Sequence, residues 1–390
     1  MKRIGIMGGL ICNENLGCVA LTYSLLKLIQ DIAKDCESEF CYTIFEYEYD
    51  EKKYSALAKY LNIPIERLKF APIGFCNVED WKLVVKKTAT NLKMLRAISE
   101  CDAVIDITQG DSFTDIYGRE RFLSLTIIKE IVIKKKIPFI LGPQTYGPFE
   151  NEELKKRAKD VIEKAKVVIS RDEKSKEYIQ SFSDKKVFVT TDLAFALPYQ
   201  VGRNKSSEII KVGINPSGLL CSNKTEGTNL ATKLSVDYDL YLEKIIGTLS
   251  KDSRYEVHLI PHVGKDAVEN FRDTENVICH DEFATPIEAK NCIADMDVFI
   301  GSRMHATIGS FSAGVATIPV AYSRKFAGLY EALGYHHVVD LCELNTEEAV
   351  CETLNLVEKH KILLDEVQAC MTLVNKKTQE LKEILQNELK

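Results

Sequence analysis

Asp297-Val-Phe-Ile-Gly-Ser-Arg-Met-His-Ala-Thr-Ile-Gly-Ser-Phe-Ser-Ala-Gly314 is the stretch whose reading decides the architecture. Val298 to Ile300 is a short apolar run bounded by turn residues, the pattern of a buried strand. Gly301-Ser302 reads as a tight turn, and a helix is predicted to open at Arg303. A cation, a histidine and helix-start N–H groups then converge where the strand ends. Those groups suit the holding of a small phosphorylated carboxylate and the movement of a proton beside it.

The same alternation of short apolar runs and helical patterns continues on both sides, which predicts an α/β fold with largely parallel sheets. In the first half the predicted strands are Arg3–Met7, Cys41–Glu46, Ala103–Ile107, Pro138–Leu141, Val167–Ser170 and Val187–Val189. A helix follows Gly17, with Leu21, Leu25, Leu28 and Ile32 on one face, and another runs near Trp81 to Ile98. In the second half the predicted strands are Ile209–Ile214, Val257–Ile260, Val277–Cys279, Val298–Ile300, Thr317–Ala321 and Val338–Leu341. The expected organisation is an N-terminal Rossmann-like domain over 1–197, a linker over 198–207 and a C-terminal Rossmann-like domain over 208–345. A helical segment, 346–390, follows, amphipathic through Leu364, Val367, Met371, Val374, Leu381 and Leu385. Two such domains joined by one linker are expected to face a cleft, a common place for ligands.

At 390 residues the chain is long for one domain. Its net charge of −6 speaks against a broad nucleic-acid footprint, although it says nothing of a single basic cleft. Twelve cysteines carry no C-x-x-C spacing, so reduced thiols in a cytoplasmic protein are expected, with no metal centre and no cofactor. A strand is expected from Arg3 onward, so no signal peptide is expected, and no apolar run reads as long enough to span a bilayer.

Parallel sheets present ligands at the carboxyl ends of their strands, and each polar cluster sits at one. Gly8-Gly-Leu-Ile-Cys-Asn-Glu-Asn-Leu-Gly17 follows a strand and precedes a helix; Gly9 lets backbone approach a ligand, and Asn13 or Asn15 can cap the helix. It is not a G-x-G-x-x-G fingerprint, so a nicotinamide cofactor is not expected. Asp111 and Asp115, in Asp106-Ile-Thr-Gln-Gly-Asp-Ser-Phe-Thr-Asp115, serve either sugar hydroxyls or the turn itself. Gln144 and Tyr146 are candidate wall residues. Ser170 and Glu173 fit a capping box, which leaves Arg171 free to grip a carboxylate or phosphate. Asn215-Pro-Ser217-Gly218 and His262 follow two further strands, and Ser302, Arg303 and His305 follow another. Arg324 and Lys325 can add charge to the same anion site.

Taken in order, these elements resemble the polysaccharide pyruvyl transferases. The resemblance rests on Gly301-Ser-Arg-Met-His-Ala-Thr307, Gly314, Ile318-Pro-Val-Ala-Tyr322 and Lys325-Phe326. It rests also on Asn15-Leu-Gly17, Gly110-Asp-Ser-Phe, Ser170-Arg-Asp, Asn215-Pro-Ser-Gly218 and Ile260-Pro-His262, and runs from about residue 4 to 340. It implies a GT-B-like pair of domains and transfer of a pyruvyl group from phosphoenolpyruvate to a sugar, closing a ketal on two hydroxyls. It assigns the donor site to Arg303 and His305, and Arg171 to the donor's carboxylate or phosphate. Cys18 departs from the small polar or acidic residue frequent in the family, which bears on the acceptor side. The partners expected are phosphoenolpyruvate and a glycan or glycan-lipid acceptor, with peripheral contact to a membrane-bound precursor and a homo-oligomer both compatible. The alternatives are a GT-B glycosyltransferase using a nucleotide sugar and a non-catalytic homologue that only binds ligand.

Overall fold

The computed structural model describes residues 1–74, 88–202, 208–221 and 234–390, with the side chains of Arg324 and Lys325 set aside. The expected helix start near Trp81 and residues 203–207 of the expected linker lie outside the described residues.

The chain divides into two compact units. The first comprises Met1–Asn13, Leu21–Leu193 and Lys377–Lys390; the second comprises Glu14–Ala20 and Ala194–Lys376. These limits differ from the sequence-based boundaries in two ways. The turn that opens the first helix packs with the second unit, and the expected C-terminal segment is shared. Its first helix, Thr346–Glu358, packs on Tyr238–Leu249 of the second unit. Its second, His360–Leu389, ends among first-unit residues, where Lys382 pairs with Asp35 and Lys166 with Glu388.

In the first unit the strands are β1 (Lys2–Met7), β2 (Phe40–Glu46), β3 (Leu68–Pro72), β4 (Ala103–Asp106), β5 (Phe139–Gln144), β6 (Val167–Ser170) and β7 (Val187–Val189). They pair in the order β3-β2-β1-β4-β5-β6-β7, all parallel. In the second unit β8 (Ile210–Asn215), β9 (Tyr255–Leu259), β10 (Val277–Cys279), β11 (Val298–Gly301), β12 (Ala316–Ala321) and β13 (Val339–Asp340) follow. Their order is β10-β9-β8-β11-β12-β13, again parallel. Each sheet therefore reverses direction once, between β1 and β4 and between β8 and β11. A crevice opens beyond the strand ends at such a reversal.

The central strands are buried on both faces, as β2, β5, β11 and β12 show along their whole lengths, so they read as unbroken apolar runs. Helix Leu16–Asp35 turns Leu21, Leu25, Leu28 and Ile32 inward. By length and composition this helix passes for a membrane span, contrary to the sequence-based expectation. Of the apolar window, 83% is buried within the protein, which marks a core helix.

Among the buried ion pairs described in the first unit is that of Lys129 with Asp106. Lys129, on helix Arg119–Lys134, donates to Asp106 Oδ2 at 2.7 Å and to Thr108 Oγ1 at 3.0 Å, and both charged side chains are buried. Removing one partner strands the other charge. Lys129→Met is expected to cost about 3–5 kcal/mol in a urea unfolding experiment, and a loss under about 1 kcal/mol would refute that account.

Candidate functional site

The second-unit site is built at the β8/β11 reversal. The two strands pair as far as Gly301 and Asn215, and Ser302 N–H donates to Asn215 C=O at 3.4 Å. Beyond Gly301 the chain turns directly into helix Met304–Ser312, with Arg303 as its N-cap and no side-chain acceptor for the first turn. The expected helix start is thus displaced by one residue. The first-turn N–H groups keep their partial positive charge for a ligand.

Asp266 ties the surrounding strand ends together. Its side chain is fully buried, in the turn after β9, and its φ of 44° is left-handed. Oδ1 accepts from Arg303 Nη2 at 2.6 Å, Arg303 Nε at 3.1 Å and Gly218 N–H at 3.2 Å. Oδ2 accepts from His262 N–H at 2.9 Å, Val263 N–H at 3.0 Å and Asn215 Nδ2 at 3.2 Å. One carboxylate thereby fixes the chain beyond β8, β9 and β11 and takes the Nε edge of the Arg303 guanidinium. Its signal in the sequence is modest: Val263-Gly-Lys-Asp266 is a turn pattern, and the acid falls four residues after the histidine that drew attention.

Asn215 and Ser217 are buried beside it. Asn215 Nδ2 donates to Ile260 C=O at 2.9 Å as well as to Asp266, so the amide orientation is fixed by two acceptors. Its Oδ1 then has no hydrogen-bond partner among the described residues, and neither does Ser217 Oγ. Buried polar atoms left in this state point to an absent ligand or solvent. Ser217 N–H donates to the hydroxyl of Tyr238, which also pairs with Ser302 and whose ionisation burial suppresses.

The Glu14–Ala20 turn closes the same site. Asn15 forms an antiparallel bridge with Val263, Leu16 N–H donates to His262 C=O at 3.2 Å, and Gly264 N–H donates to Glu14 C=O at 3.3 Å. Asn15 Oδ1 accepts from Gly17 N–H at 3.0 Å and its carbonyl accepts from Cys18 and Val19. Asn15, one of the two caps expected from the sequence, thus satisfies the start of this helix. Gly17 serves another purpose: a Cβ there would overlap Nδ1 and Cβ of His305. Gly17→Ala is expected to push His305 aside and lower turnover roughly 10²-fold, as a 1 Å misplacement can, with an unchanged circular dichroism spectrum. Near-normal turnover in that variant would mean that His305 needs no fixed position.

His262 is buried, and its pKa is pushed down from 6.5, first by burial and then by the charge of His305, with Asp266 opposing. The sign for stability follows. Above pH 6.5 the imidazole is neutral folded or unfolded; below it only the unfolded chain gains the proton, so stability falls as pH drops toward the folded pKa of about 3. His262→Asn is expected to flatten the decline in Tm between pH 6.5 and 4, and an equally steep decline would assign it to other groups.

The first-unit candidates resolve differently. Gly8, rather than Gly9, is the left-handed residue, with φ 66°, and its missing side chain admits the backbone of Thr108; Gly9 admits Thr22, whose Oγ1 accepts from Leu10 N–H at 2.8 Å. The N–H groups of Ile11 and Cys12 in the same turn donate to buried Glu46 at 2.7 and 2.6 Å. Arg171 is buried, with Nη1 on Asp192 Oδ2 at 2.6 Å and Nε on Thr145 Oγ1 at 2.9 Å, so its charge is answered inside the fold. Asp172, not Ser170, caps the helix that follows, accepting from Ser175 N–H at 2.7 Å. Tyr146 is a core residue bonded to the carbonyls of Gly142 and Ile169, and Asp115 holds the N–H groups of Glu150 and Asn151.

Three first-unit groups keep a ligand-facing character. Gln144 is fully buried, its Nε2 donates to Asp106 C=O at 3.2 Å, and its Oε1 has no partner among the described residues. Thr108, Gln109 and Gly110 are consecutive residues with positive φ, at 37°, 54° and 85°, a strain typical of ligand clamps. Asp111 accepts from the exposed Tyr117 hydroxyl at 3.3 Å. Lys325 lies in helix Arg324–Glu331, with its side chain outside the description.

Residues 15–324 match the polysaccharide pyruvyl transferase family. Amylovoran biosynthesis protein AmsJ of Erwinia amylovora is 24% identical over 260 residues, a match that takes 61% of this chain and 60% of AmsJ. The chain thus spans less than two thirds of that relative. Among solved structures, UDP-GlcNAc 2-epimerase from Neisseria meningitidis bound to UDP-GlcNAc superposes with a TM-score of 0.62 at 11% identity, covering 100% of this chain and 99% of that one. Anabaena Alr3699/HepE in complex with UDP and glucose gives 0.56 at 13% identity, with 99% of each chain covered. At such identities the similarity is one of fold, the α/β GT-B class.

Proposed function

This chain belongs to the polysaccharide pyruvyl transferase family, and from that premise we propose that it moves a pyruvyl group from phosphoenolpyruvate onto two hydroxyls of a sugar in a cell-surface polysaccharide or its precursor. The observation that carries the donor assignment is the second-unit cluster. Arg303, His262 and His305 meet the uncapped start of helix Met304–Ser312 beside two buried oxygens without partners, Asn215 Oδ1 and Ser217 Oγ.

The Nε edge of Arg303 is held by Asp266, which leaves the far end of the guanidinium for the donor's carboxylate or phosphate. The helix start and the Ser217 hydroxyl supply further donors to the same anion. Asn215 Oδ1, an acceptor only, suits a hydroxyl or a protonated phosphate oxygen.

His305 passes a proton to the methylene carbon of the donor, which becomes the methyl group. C2 then has oxocarbenium character, and a sugar hydroxyl adds to it and loses its proton. The bond between C2 and the phosphate oxygen breaks, and phosphate leaves with the electron pair. The second hydroxyl adds to C2, loses its proton and closes the ketal. Atoms balance as donor plus diol giving ketal plus phosphate, with no change of oxidation state overall.

The strained Thr108–Gly110 loop, Asp111 and Gln144 are the acceptor-side groups in this reading. Arg171 and Asp192 support that loop from below, since Gly110 packs against Arg171 Nη1. A cytoplasmic location, on lipid-linked precursors, fits the donor's availability. Incubation with phosphoenolpyruvate and pooled glycan-lipid precursors tests the reading: phosphate should appear with an equal amount of pyruvylated glycan. Stabilisation by a uridine or guanosine diphosphate but not by phosphoenolpyruvate would contradict it.

A further inference from the structure

Helix Arg119–Lys134 opens beside the Thr108–Gly110 loop, and its first turn carries two arginines. Arg119 is answered by Glu153, through Nη1 at 3.1 Å and Nη2 at 3.2 Å. Arg121, which is exposed, has no such partner. Its Nη2 donates to Gln109 Oε1 at 2.7 Å and to Ser112 Oγ at 3.0 Å, and both oxygens are neutral. Among the described residues no carboxylate pairs with its guanidinium, and its Nε and Nη1 make no hydrogen bond.

Gln109, one of the two residues that hold this cation, has a left-handed φ of 54° and lines the crevice at the β1/β4 reversal together with Gly8, Leu10 and Tyr47. Ser112, the other, is buried, so the guanidinium is anchored to the fold. Arg121 also lies 5.6 Å from the ring centroid of Tyr117, whose hydroxyl donates to Asp111 Oδ2 at 3.3 Å. Tyr117 and its neighbour Ile116 are half exposed and offer an apolar face on which a sugar ring can lie. An arginine held by neutral acceptors and an aromatic face keeps its whole charge. Its unused planar edge has the geometry that meets a carboxylate or phosphate with two bonds.

We propose that Arg121 grips an oxyanion borne by the acceptor, a uronate carboxylate on the glycan or the diphosphate that joins it to a lipid, and so selects anionic acceptors over neutral ones. This rests on the pyruvyl-transfer reading above and on its placing of the acceptor beside the Thr108–Gly110 loop. Gln109 is then the positioning residue that aims the guanidinium, and Asp111 is left for hydroxyls of the same sugar. The chain's net charge of −6 gives an anionic acceptor no general attraction, so the attraction has to come from a placed cation.

The pooled glycan-lipid precursors serve as the probe in three forms: untreated, with uronate carboxyls reduced to alcohols, and released from the lipid diphosphate by mild acid. At limiting acceptor the native full chain should pyruvylate one of the treated pools at least about tenfold more slowly than the untreated pool, the scale of a lost charge-assisted hydrogen bond. The pool that falls identifies the source of the oxyanion. In Arg121→Met the difference between the pools should vanish. It should vanish also in Gln109→Glu, which keeps an acceptor on Arg121 but answers its charge. A difference retained in either variant overturns the inference, because a residue that only supports the loop slows every pool alike. Equal native rates with all three pools overturn it and leave pyruvyl transfer standing. Turnover lost with every pool in both variants makes Arg121 a support of the loop alone and overturns it as well. A native protein that pyruvylates none of the pools overturns the transfer reading itself.

Discussion

Arg303→Ala is expected to lower kcat/KM for phosphoenolpyruvate by about 10³-fold or more, the scale of losing a buried charge-assisted donor from a preorganised site. Two effects add. The donor loses its cation, and Asp266 remains as a fully buried carboxylate with its charge unanswered. The second effect should cost about 3–5 kcal/mol of stability, seen as a fall in Tm. Pairing the change with Asp266→Asn separates them: the double variant should recover much of the stability and none of the activity. Arg303→Lys should not restore turnover, because a single ammonium cannot meet Asp266 with one edge and a carboxylate with the other. Activity within a few fold of native in Arg303→Ala would remove this residue from the donor site.

His305→Gln is expected to act on a different constant. Glutamine keeps a polar side chain of similar reach but cannot carry the proton, so kcat should fall by about 10²–10⁴-fold while KM for the donor changes little. A pH profile sharpens the distinction. Native kcat should fall as pH rises through the pKa of the acid imidazole in the bound complex, and the variant should lose that dependence. An unchanged profile in His305→Gln would assign the acid to another group.

The parts of this molecule that repeat a local rule were legible in its sequence. Val167–Ser170, Val187–Val189 and Val277–Cys279 are strands with the ends read from their apolar runs, and the turn at Gly301-Ser302 leads into a helix one residue later than expected. Strand β3 was not legible. Leu68-Lys-Phe-Ala-Pro72 is a sheet edge with an exposed lysine and a terminal proline, so neither alternation nor an unbroken apolar run marks it. The candidate site shows a sharper division. Residues that follow a strand end, such as Asn215, Ser302, Arg303 and His262, could be found because position alone selects them. What their side chains face depends on partners distant in sequence, and that was hidden. Arg171 looked free for an anion until Asp192 met it, and the backbone of the glycine-rich turn looked open to a ligand until Glu46 occupied its N–H groups. Asp266 was missed for the same reason. An acid in a turn is unremarkable locally, and its role exists only because the segments beyond β8, β9 and β11 converge on it.

The central claim is that the Arg303–His305 cluster takes phosphoenolpyruvate and hands its pyruvyl group to a glycan. Acceptor-dependent phosphate release from phosphoenolpyruvate, followed together with the mass of the glycan product, tests it most directly. The account predicts one phosphate for each pyruvyl ketal formed, with both signals abolished in Arg303→Ala and in His305→Gln. Phosphate release and ketal formation that persist in those variants, or a native protein that turns over a nucleotide sugar and leaves phosphoenolpyruvate intact, would contradict it.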